Sequence, residues 1–450
     1  MIRIGALLLI ALLLAPVSDL DGQTVSHLVL HPRAEDPVVA VTARFPRGSE
    51  SDPAGQEGAA FLLSRVLEEE GTRLLAELSG WVEVELGPRE FLVTMVAPPA
   101  DWTEGWRRTE ALITGGPLPA DGVERVRTAH MDRLLFEEGA PGRRFDTEVA
   151  TYLLGASHPG SRPPSGTRES VRGIDGAALE SLRDEILDWS QAVVALVGRV
   201  DEESTQQLMQ GPTTTFAPPI LPDPTRPAID TTTAPGDTIP VEEPLLPPGA
   251  PRVVTTERSP PLRAPAATPD RYPWSTEGRR ILDEEVTSTW ILVGWPLPEG
   301  APLVLEDFMV HLIREALNPS PPDPGIYSAQ VEIRERDDAP LLVVTASVDP
   351  RHAYRWEERI LQSVAGLADT PPDGAFFELA RRRYRATRLL EHAAPEERAR
   401  WLARTQASTG TIPRITSDVW GLTREGVADL ASSRGEPRIL LFGPVSVMDP

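Results

Sequence analysis

The side chains of this sequence that could bind a metal ion or transfer protons are its histidines and carboxylates. The 450 residues include no cysteine and no lysine, which excludes thiolate nucleophiles, thiolate zinc sites, iron–sulfur clusters and Schiff-base chemistry. The seven histidines are His27, His31, His130, His158, His311, His352 and His392. His27 and His31 lie in a strand-like stretch that is interrupted by Pro32, so the two imidazoles share no helical face. No histidine pair therefore predicts a metal site.

Sequence motifs of other enzyme classes are missing as well. The chain has no Gly-x-Ser-x-Gly elbow, no Gly-x-Gly-x-x-Gly loop and no His-Glu-x-x-His in either direction. Charged residues follow one another at 68–70, at 137–138 and, with mixed signs, at 334–338. Runs of this kind are typical of solvated helix ends and turns.

The balance of charges restricts the partners that this protein can have. Sixty-seven acidic residues stand against 44 basic ones, which gives a formal net charge of −23. A nucleic-acid-binding protein needs clustered basic residues that displace counterions from phosphates, and the sequence shows no such cluster. We therefore expect no nucleic acid partner.

The N-terminus resembles a secretory leader. Arg3 is followed by an apolar run from Ile4 to Val17, which is shorter than the roughly 20 residues that cross a bilayer. We interpret residues 1–22 as a signal peptide, with an uncleaved signal anchor as the alternative. No later segment is apolar over a sufficient length, so the sequence predicts a periplasmic or secreted protein without a membrane span after the leader is removed.

A proline-rich segment divides the chain. Seventeen prolines occur from Pro212 to Pro273, and proline is excluded from helix interiors and central strands. The predicted organisation is an N-terminal domain at 23–210, a Pro/Thr-rich linker at 211–275 and a C-terminal domain at 276–450.

The two blocks beside this linker resemble each other. Similar segments recur in the same order at a nearly constant shift, which indicates a tandem duplication. The matching segments are Pro37–Gly48 with Thr289–Gly300, Phe91–Thr94 with Leu342–Thr345, and Val193–Gly198 with Ile439–Gly443. Each copy is predicted to contain a strand, a helix, further strands, two long helices and a last strand. This order predicts an α+β fold, with an antiparallel or mixed sheet that is covered by helices on one face.

Several motifs recur along the two copies in a characteristic order. They are Phe45–Pro53, Gly58–Leu67 and Gly71–Thr72, then Ser157–Gly166, and in the second copy Gly325–Ser328. Together these motifs resemble the insulinase/pitrilysin-type zinc peptidases, a family that includes the mitochondrial processing peptidases. The resemblance covers most of residues 24–450 outside the linker and implies a duplicated α/β roll.

The resemblance also implies where a zinc site would lie. In active family members, the helix after the Asp-Pro turn carries His-x-x-Glu-His, whose two histidines bind zinc while the glutamate polarises a water molecule. Counted forward from Gly58, these positions are Phe61, Ser64 and Arg65. A second register, counted backward from the Gly-Thr pair, gives Leu62, Arg65 and Val66. Neither register supplies a zinc ligand, so we expect no catalytic metal and no cofactor.

Two further positions correspond to functional residues of the family. Asp132 is the only carboxylate near the place of the third zinc ligand, and by itself it is typical of a solvated helix charge. Tyr327 matches a substrate-contacting tyrosine in active relatives, and the alternative for it is a packed tyrosine at the start of a strand.

The sequence thus favours an exported, catalytically inactive peptidase homologue that forms a heterodimer with a zinc-bearing paralogue and helps to bind extended peptide substrates. A stand-alone peptide-binding or scaffold protein of the cell envelope is the first alternative. The second is an active zinc metalloendopeptidase whose site the sequence does not reveal.

Overall fold

A computed structural model gives the fold of the chain. It describes residues 27–201, 205, 252–254, 278–298, 300–318, 325–334, 340–370, 372–410, 418–444 and 447. The predicted signal peptide at 1–22 lies outside the described residues, as does most of the predicted linker.

The first half of the chain contains five strands and six α-helices among the described residues. The strands are β1 (His27–Pro32), β2 (Val39–Phe45), β3 (Trp81–Leu86), β4 (Phe91–Ala97) and β5 (Val193–Gly198). The helices are α1 (Ala59–Leu75), α2 (Trp102–Thr114), α3 (Ala120–Glu137), α4 (Pro141–Leu154), α5 (Arg168–Arg172) and α6 (Gly176–Ile186).

The second half repeats this order of elements. Its strands are β7 (Arg279–Asp283), β8 (Thr289–Pro296), β9 (Ile326–Arg334), β10 (Leu341–Val348) and β11 (Arg438–Gly443), and a short strand β6 (Arg252–Val254) precedes them. Its helices are α7 (Leu303–Leu317), α8 (Ala353–Asp369), α9 (Gly374–Glu391), α10 (Pro395–Thr409) and α11 (Arg424–Ser432).

The two sheets have the same topology. The first sheet has the order β3-β4-β2-β5-β1-β6, and the second has β9-β10-β8-β11-β7. In each sheet the first and last strands of the half pair in parallel, and the other pairs are antiparallel. The predicted fold class, a duplicated α/β roll with mixed sheets, is confirmed.

The strand β6 lies inside the segment that the sequence predicts to be a linker. It pairs antiparallel with β1, with Leu28 opposite Val254 and Leu30 opposite Arg252. This part of the segment therefore adds an edge strand to the first sheet. The division into domains at 23–210, 211–275 and 276–450 stays a prediction.

Each sheet packs its own helices on one face. In the first half, α1, α2, α3 and α6 bury apolar side chains against the strands, among them Leu63 and Trp106. In the second half, α7 and α8 do the same with Met309 and Trp356. Burial of such side chains contributes about 2 kcal/mol each. No helix among the described residues meets the length and hydropathy that a membrane span requires.

The opposite face of each sheet is covered by a helix from the other half, which the sequence pattern did not predict. From the second half, α10 places Ala399, Leu402 and Ala403 against the first sheet. From the first half, α4 places Phe145 and Val149 against the second sheet. The backbone N–H of Ile439 donates to the Tyr152 hydroxyl at 3.1 Å. The two halves thus exchange one helix each, and both contacts bury apolar surface.

Ion pairs hold the exchanged helix α10 to the edge strand β3. The Arg400 guanidinium is almost fully buried and lies 2.6 Å from a Glu83 carboxylate oxygen and 2.9 Å from one of Glu85. Arg404 pairs with Glu85 at 2.6 Å. These carboxylates raise the pKa of Arg400, although its burial acts in the opposite direction. The charges of the two halves are complementary at this contact.

Candidate functional site

The helix on which the family would place zinc ligands begins at a buried carboxylate. Asp52 accepts hydrogen bonds from the backbone N–H groups of Gly58 at 2.7 Å and Ala60 at 2.8 Å, which satisfies two donors at the start of α1. Burial raises the pKa of Asp52 to about 6, against the lowering effect of these two hydrogen bonds. The Asp-Pro turn of the sequence motif therefore determines where α1 starts.

The direction of the side chains on α1 distinguishes the two sequence registers. Leu62 and Val66 are buried in the core of the first half. Phe61 is half-buried and Arg65 is exposed, so both lie on the face that points away from the sheet. In the first register, Phe61 and Arg65 therefore lie on the accessible side of α1, while Ser64 between them is buried. In the second register, Leu62 and Val66 belong to the core and only Arg65, which both registers share, is accessible.

Aromatic and cationic groups fill this outward face. The Phe61 ring packs on the His130 ring of α3, with 4.6 Å between ring centroids. The guanidinium carbon of Arg133 lies 4.8 Å from the Phe61 centroid and that of Arg65 lies 5.3 Å from it. The Ser64 hydroxyl donates to the Phe61 carbonyl at 2.7 Å. We call Phe61, Arg65, His130 and Arg133 the aromatic–arginine cluster.

His130 and Arg133 are the two members of this cluster that the sequence analysis did not select as site residues. The His130 Nε2 lies 2.7 Å from the Ser165 carbonyl oxygen, an acceptor, so Nε2 carries a hydrogen. Burial lowers the pKa of His130, and Arg133 and Arg143 act in the same direction. The imidazole is therefore neutral near pH 7. The family resemblance places this part of α3 near the third ligand position, but no sequence signal identifies the His130 ring as the group that packs on Phe61.

Two sequence motifs that lie far apart along the chain meet beside the cluster. Gly58 has a φ of +94°, and a Cβ at this position would lie 2.8 Å from the Ser165 carbonyl oxygen. A Cβ at Gly166 would lie 2.1 Å from the Glu57 carbonyl oxygen. Both positions need glycine because the two backbones approach closely. This contact places the Ser157–Gly166 motif against the start of α1.

The residues at this site do not fit a zinc ion. Phenylalanine has no lone pair for the metal, the Ser64 hydroxyl is already bonded to its own helix, and two guanidiniums lie beside the ring. Over the described part of the chain, no group of three His, Cys, Asp or Glu side chains is arranged to hold a metal ion.

The other two candidate site residues from the sequence, Asp132 and Tyr327, are not members of this cluster. Asp132 is exposed on α3. Tyr327 is 63% exposed at the beginning of the edge strand β9, so it is not a packed tyrosine. Its role in substrate binding stays a prediction.

One glutamate of the run at 68–70 is structural. The Glu70 carboxylate is buried between α1 and α3, where the Arg73 Nε donates to it at 2.9 Å and the Arg125 Nη2 at 3.1 Å. A Cβ at Gly122 would lie 2.3 Å from a Glu70 carboxylate oxygen. Gly122 therefore leaves the space that this buried ion pair occupies.

Solved structures of other proteins share the fold of this chain. No family model matches the chain, and no curated protein matches it. Among solved structures, the peptidase M16 inactive domain from Pseudomonas fluorescens has a TM-score of 0.67 at 13% identity, with 94% of this chain and 96% of that chain covered. The fold is that of the M16 peptidases. The resemblance to insulinase/pitrilysin-type peptidases is thus confirmed at the level of the fold.

Other solved structures with this fold differ in what they do. A protease from Helicobacter pylori has a TM-score of 0.65 at 12% identity, covering 94% of this chain and 98% of that chain. A chain of complex III2 from Candida albicans has a TM-score of 0.65 at 11% identity, covering 94% and 96%. An inactive domain, a protease and a component of a multi-subunit complex share this architecture. The fold by itself therefore does not decide whether a protein is active.

Proposed function

We propose that this protein is an exported, catalytically inactive M16-type homologue that acts as the partner subunit of a zinc-bearing paralogue. The observation that carries the proposal is the aromatic–arginine cluster on the outward face of α1. Two of its side chains, Phe61 and Arg65, stand at positions that the sequence resemblance assigns to zinc ligands, and neither can bind a metal ion. The similarity to a domain described as inactive supports the same conclusion.

The ion pairs of the cluster also oppose binding of a metal ion at this place. Arg65 pairs with Glu68 at 2.6 Å, and Arg133 lies 3.5 Å from a Glu137 carboxylate oxygen. Carboxylates near the site therefore bind arginines of the same helix. A metal ion placed there would compete with two permanent cations for them.

Peptide binding is the proposed contribution of this subunit to the complex. The strands β3 and β9 are the edges of their sheets, and no described residue pairs with their outer sides. An extended peptide can add to such an edge through main-chain hydrogen bonds. Tyr327 stands exposed on β9, where it would contact the side chains of an added strand.

A stand-alone peptide-binding protein of the cell envelope is the second candidate. The open edges of β3 and β9 favour it, because they are present in this chain without any partner. The two candidates differ in whether the isolated protein binds an extended peptide tightly or needs a second subunit to do so.

Co-purification tests the partner role. The protein is co-expressed with a His-x-x-Glu-His homologue from the same genome, and the peptidase activity of the complex is measured. We expect a stable complex and an increase in the homologue's kcat/KM for peptides. A homologue that neither co-purifies nor changes in activity would overturn the partner role.

Metal analysis tests the inactive state. The purified chain is expected to contain no stoichiometric zinc and to show no chelator-sensitive peptidase activity. The triple variant Phe61→His, Ser64→Glu, Arg65→His introduces two possible ligands at the accessible positions 61 and 65 and a base at the buried position 64, on the helix that packs beside His130. We expect this variant to gain zinc, whereas a matched Phe61→Leu, Ser64→Ala, Arg65→Leu control does not. Stoichiometric zinc in the wild-type chain would contradict the proposal.

A further inference from the structure

Buried histidines lie in the contact between α10 and the first sheet. His31 shares a face of β1 with Val29, which packs against α10. His392 connects α9 to α10, and its ring centroid lies 5.0 Å from that of Trp401 in α10. Only 7% of His31 and 8% of His392 is exposed. The half-buried His27 lies on the same face of β1, and burial lowers its pKa. The imidazoles are therefore placed where the two halves meet.

The buried guanidinium of Arg398 lies near both His31 and His392. Arg398 is in the first turn of α10, only 7% of it is exposed, and its Nη2 donates to the His392 carbonyl oxygen. Burial lowers the pKa of both histidines to about 4, and the positive charge of Arg398 acts in the same direction. Neither ring nitrogen of His392 has a hydrogen-bond partner among the described residues. Both imidazoles are therefore neutral near pH 7.

The charged groups that face His31 offer no free carboxylate. Glu35, whose charge favours protonation of His31, is paired with Arg33 at 2.5 Å. Arg33 also lies 3.1 Å from an Asp36 carboxylate oxygen. The charges of Arg33 and Arg398 both oppose protonation of the ring. A proton on His31 would thus add a positive charge beside two arginines.

The groups that face His392 are arranged in the same way. Glu397, whose charge favours protonation of His392, is paired with Arg400 at 2.6 Å. Arg388, which opposes protonation, donates to an Asp307 carboxylate at 3.2 Å. The nearby carboxylates are thus already paired with arginines. A protonated ring at this place would be a buried charge without a counter-ion of its own, which is costly.

The other contact between the halves contains no histidine. Neither α4 nor the strands of the second sheet, β7 to β11, have one. That contact consists of apolar side chains such as Phe145 and Tyr152, with an ion pair between Arg144 and Glu284 at its border. Uptake of protons by histidine therefore acts on one of the two contacts and spares the other.

We propose that protonation of His31 and His392 releases α10 from the β1 side of the first sheet. Release exposes both rings to water, where a charged imidazole is stable, so proton uptake favours the released state. The ion pairs of Arg400 and Arg404 with Glu85 on β3 contain no histidine, and α4 continues to hold the second sheet. The two halves would thus open at one contact in acid. This inference goes beyond the proposed function and does not rest on it.

The size of the effect follows from the two states of each ring. An exposed histidine has a pKa of about 6.5, whereas the pKa of His31 and of His392 in the docked state is about 4. The docked state is therefore fully favoured above pH 6.5 and loses this advantage as the pH falls towards 4. After allowance for solvent screening, we expect each histidine to raise the ratio of released to docked α10 by about tenfold between pH 7 and pH 5.

Hydrogen exchange of the full-length protein at pH 7 and pH 5 tests the release, with rates corrected for the pH dependence of intrinsic exchange. A released helix of 15 residues is marginal in water, so its amides exchange when it undocks. The protection factors of α10 should fall by up to about a hundredfold, and those of α4 by much less. Unchanged protection in α10, or an equal loss in α4, would overturn the inference.

Variants assign the effect to the two histidines. His31→Gln combined with His392→Gln should remove most of the fall in α10 protection between the two pH values. The matched control is His352→Gln, whose ring lies beside Gly325 in the second half, and it should behave like the wild type. Because the readout is a difference between two pH values, a variant with lower protection at both remains informative. A double variant that falls as steeply as the wild type would refute the assignment.

A third variant tests the coupling to the buried arginine. Arg398→Gln keeps a donor for the His392 carbonyl oxygen and removes the cation that opposes protonation. The docked histidines should then titrate at a higher pH, so α10 should lose less protection between pH 7 and pH 5. A loss as large as that of the wild type would contradict this coupling. Zinc in the purified chain would overturn the proposed inactive state and leave this inference standing, because α1 and α10 cover opposite faces of the first sheet.

Discussion

The outward faces of α1 and α7 occupy equivalent places in the two halves but have opposite character. Their core faces correspond, with Leu62, Leu63 and Val66 in α1 and Met309, Val310 and Ile313 in α7. On the outward side, Phe308 and Leu312 of α7 stand at the positions that correspond to Phe61 and Arg65 of α1. The set Phe308, Leu312, Tyr384, Val419 and Leu422 forms a closed apolar cluster in the second half.

The first half leaves the same face accessible to solvent. Phe61 is half-buried, and Arg65 and Arg133 each expose nearly half of their side chains. The corresponding histidine and tyrosine, His130 and Tyr384, each contact a phenylalanine in their own half. The second half thus uses this surface as part of its core. The first half keeps the surface open and lines it with Phe61 and two arginines.

The largest expected effect comes from giving the second half the side chain of the first. Leu312→Arg buries a guanidinium in an apolar cluster and should reduce the free energy of unfolding by about 3–5 kcal/mol. The reciprocal change, Arg65→Leu, should alter it by no more than about 0.5 kcal/mol because the face is exposed. Urea unfolding followed by tryptophan fluorescence measures both. Similar costs for the two variants would show that the faces do not differ as described.

The exchanged helices should contribute to stability about equally. Leu402 of α10 and Leu153 of α4 are buried against the opposite sheet, so each Leu→Ala substitution should cost about 2–4 kcal/mol. Both variants should still unfold in one transition, because each helix connects the halves. The exposed Leu390→Ala is the control and should cost little. A separate transition for one half would refute the reciprocal exchange as the link between them.

As the pH is lowered, the contact between α10 and the first sheet should weaken at a higher pH than the contact between α4 and the second sheet. Burial lowers the pKa of His31 and of His392 to about 4, and Arg398 lies near both. The unfolded chain binds protons on these groups below about pH 6.5, so stability falls as the pH drops from 6.5 to 4. We expect a loss of about 1–2 kcal/mol per histidine after allowance for solvent screening.

Hydrogen exchange at pH 7 and pH 4.5 localises this acid effect. The amides of α10 should lose more protection than those of α4, whose contact rests on Phe145 and Tyr152. A His392→Leu variant should reduce the pH dependence by about half, because one of the two histidines no longer titrates. Equal loss of protection in the two helices would contradict the assignment.

The smallest expected effect concerns how the two outward-facing helices begin. Asp52 bonds two N–H groups at the start of α1, whereas α7 begins after Pro302 without a side-chain cap. Asp52→Ala should therefore cost about 1–2 kcal/mol, and Asp52→Asn less. The raised pKa of Asp52, about 6, favours the folded state as the pH falls towards 4. Both variants should therefore steepen the acid-induced loss, and an unchanged slope in calorimetry would contradict this.

Much of the architecture was predictable because it depends on local patterns. Apolar β-branched runs such as Val193–Gly198 form central strands, and their recurrence in Ile439–Gly443 predicted the duplication that the two sheet orders confirm. The pairing of β6 with β1 was not predictable, since a proline-rich stretch gives no periodic signal. The exchange of α4 and α10 was not predictable either. An amphipathic pattern indicates that one face of a helix is buried, but it does not indicate which element covers that face.

At the candidate site, the sequence alone determined which side chains are present on α1, and thus that Phe61, Ser64 and Arg65 offer no histidine or carboxylate. The tertiary structure decided that Phe61 and Arg65 point outward while Ser64 is buried, that His130 packs on Phe61, and that Arg133 joins them. The physical reason is the separation of these residues along the chain. Chemical identity is a property of each residue, whereas proximity between residues 61 and 130 arises only when α1 and α3 pack on the same sheet.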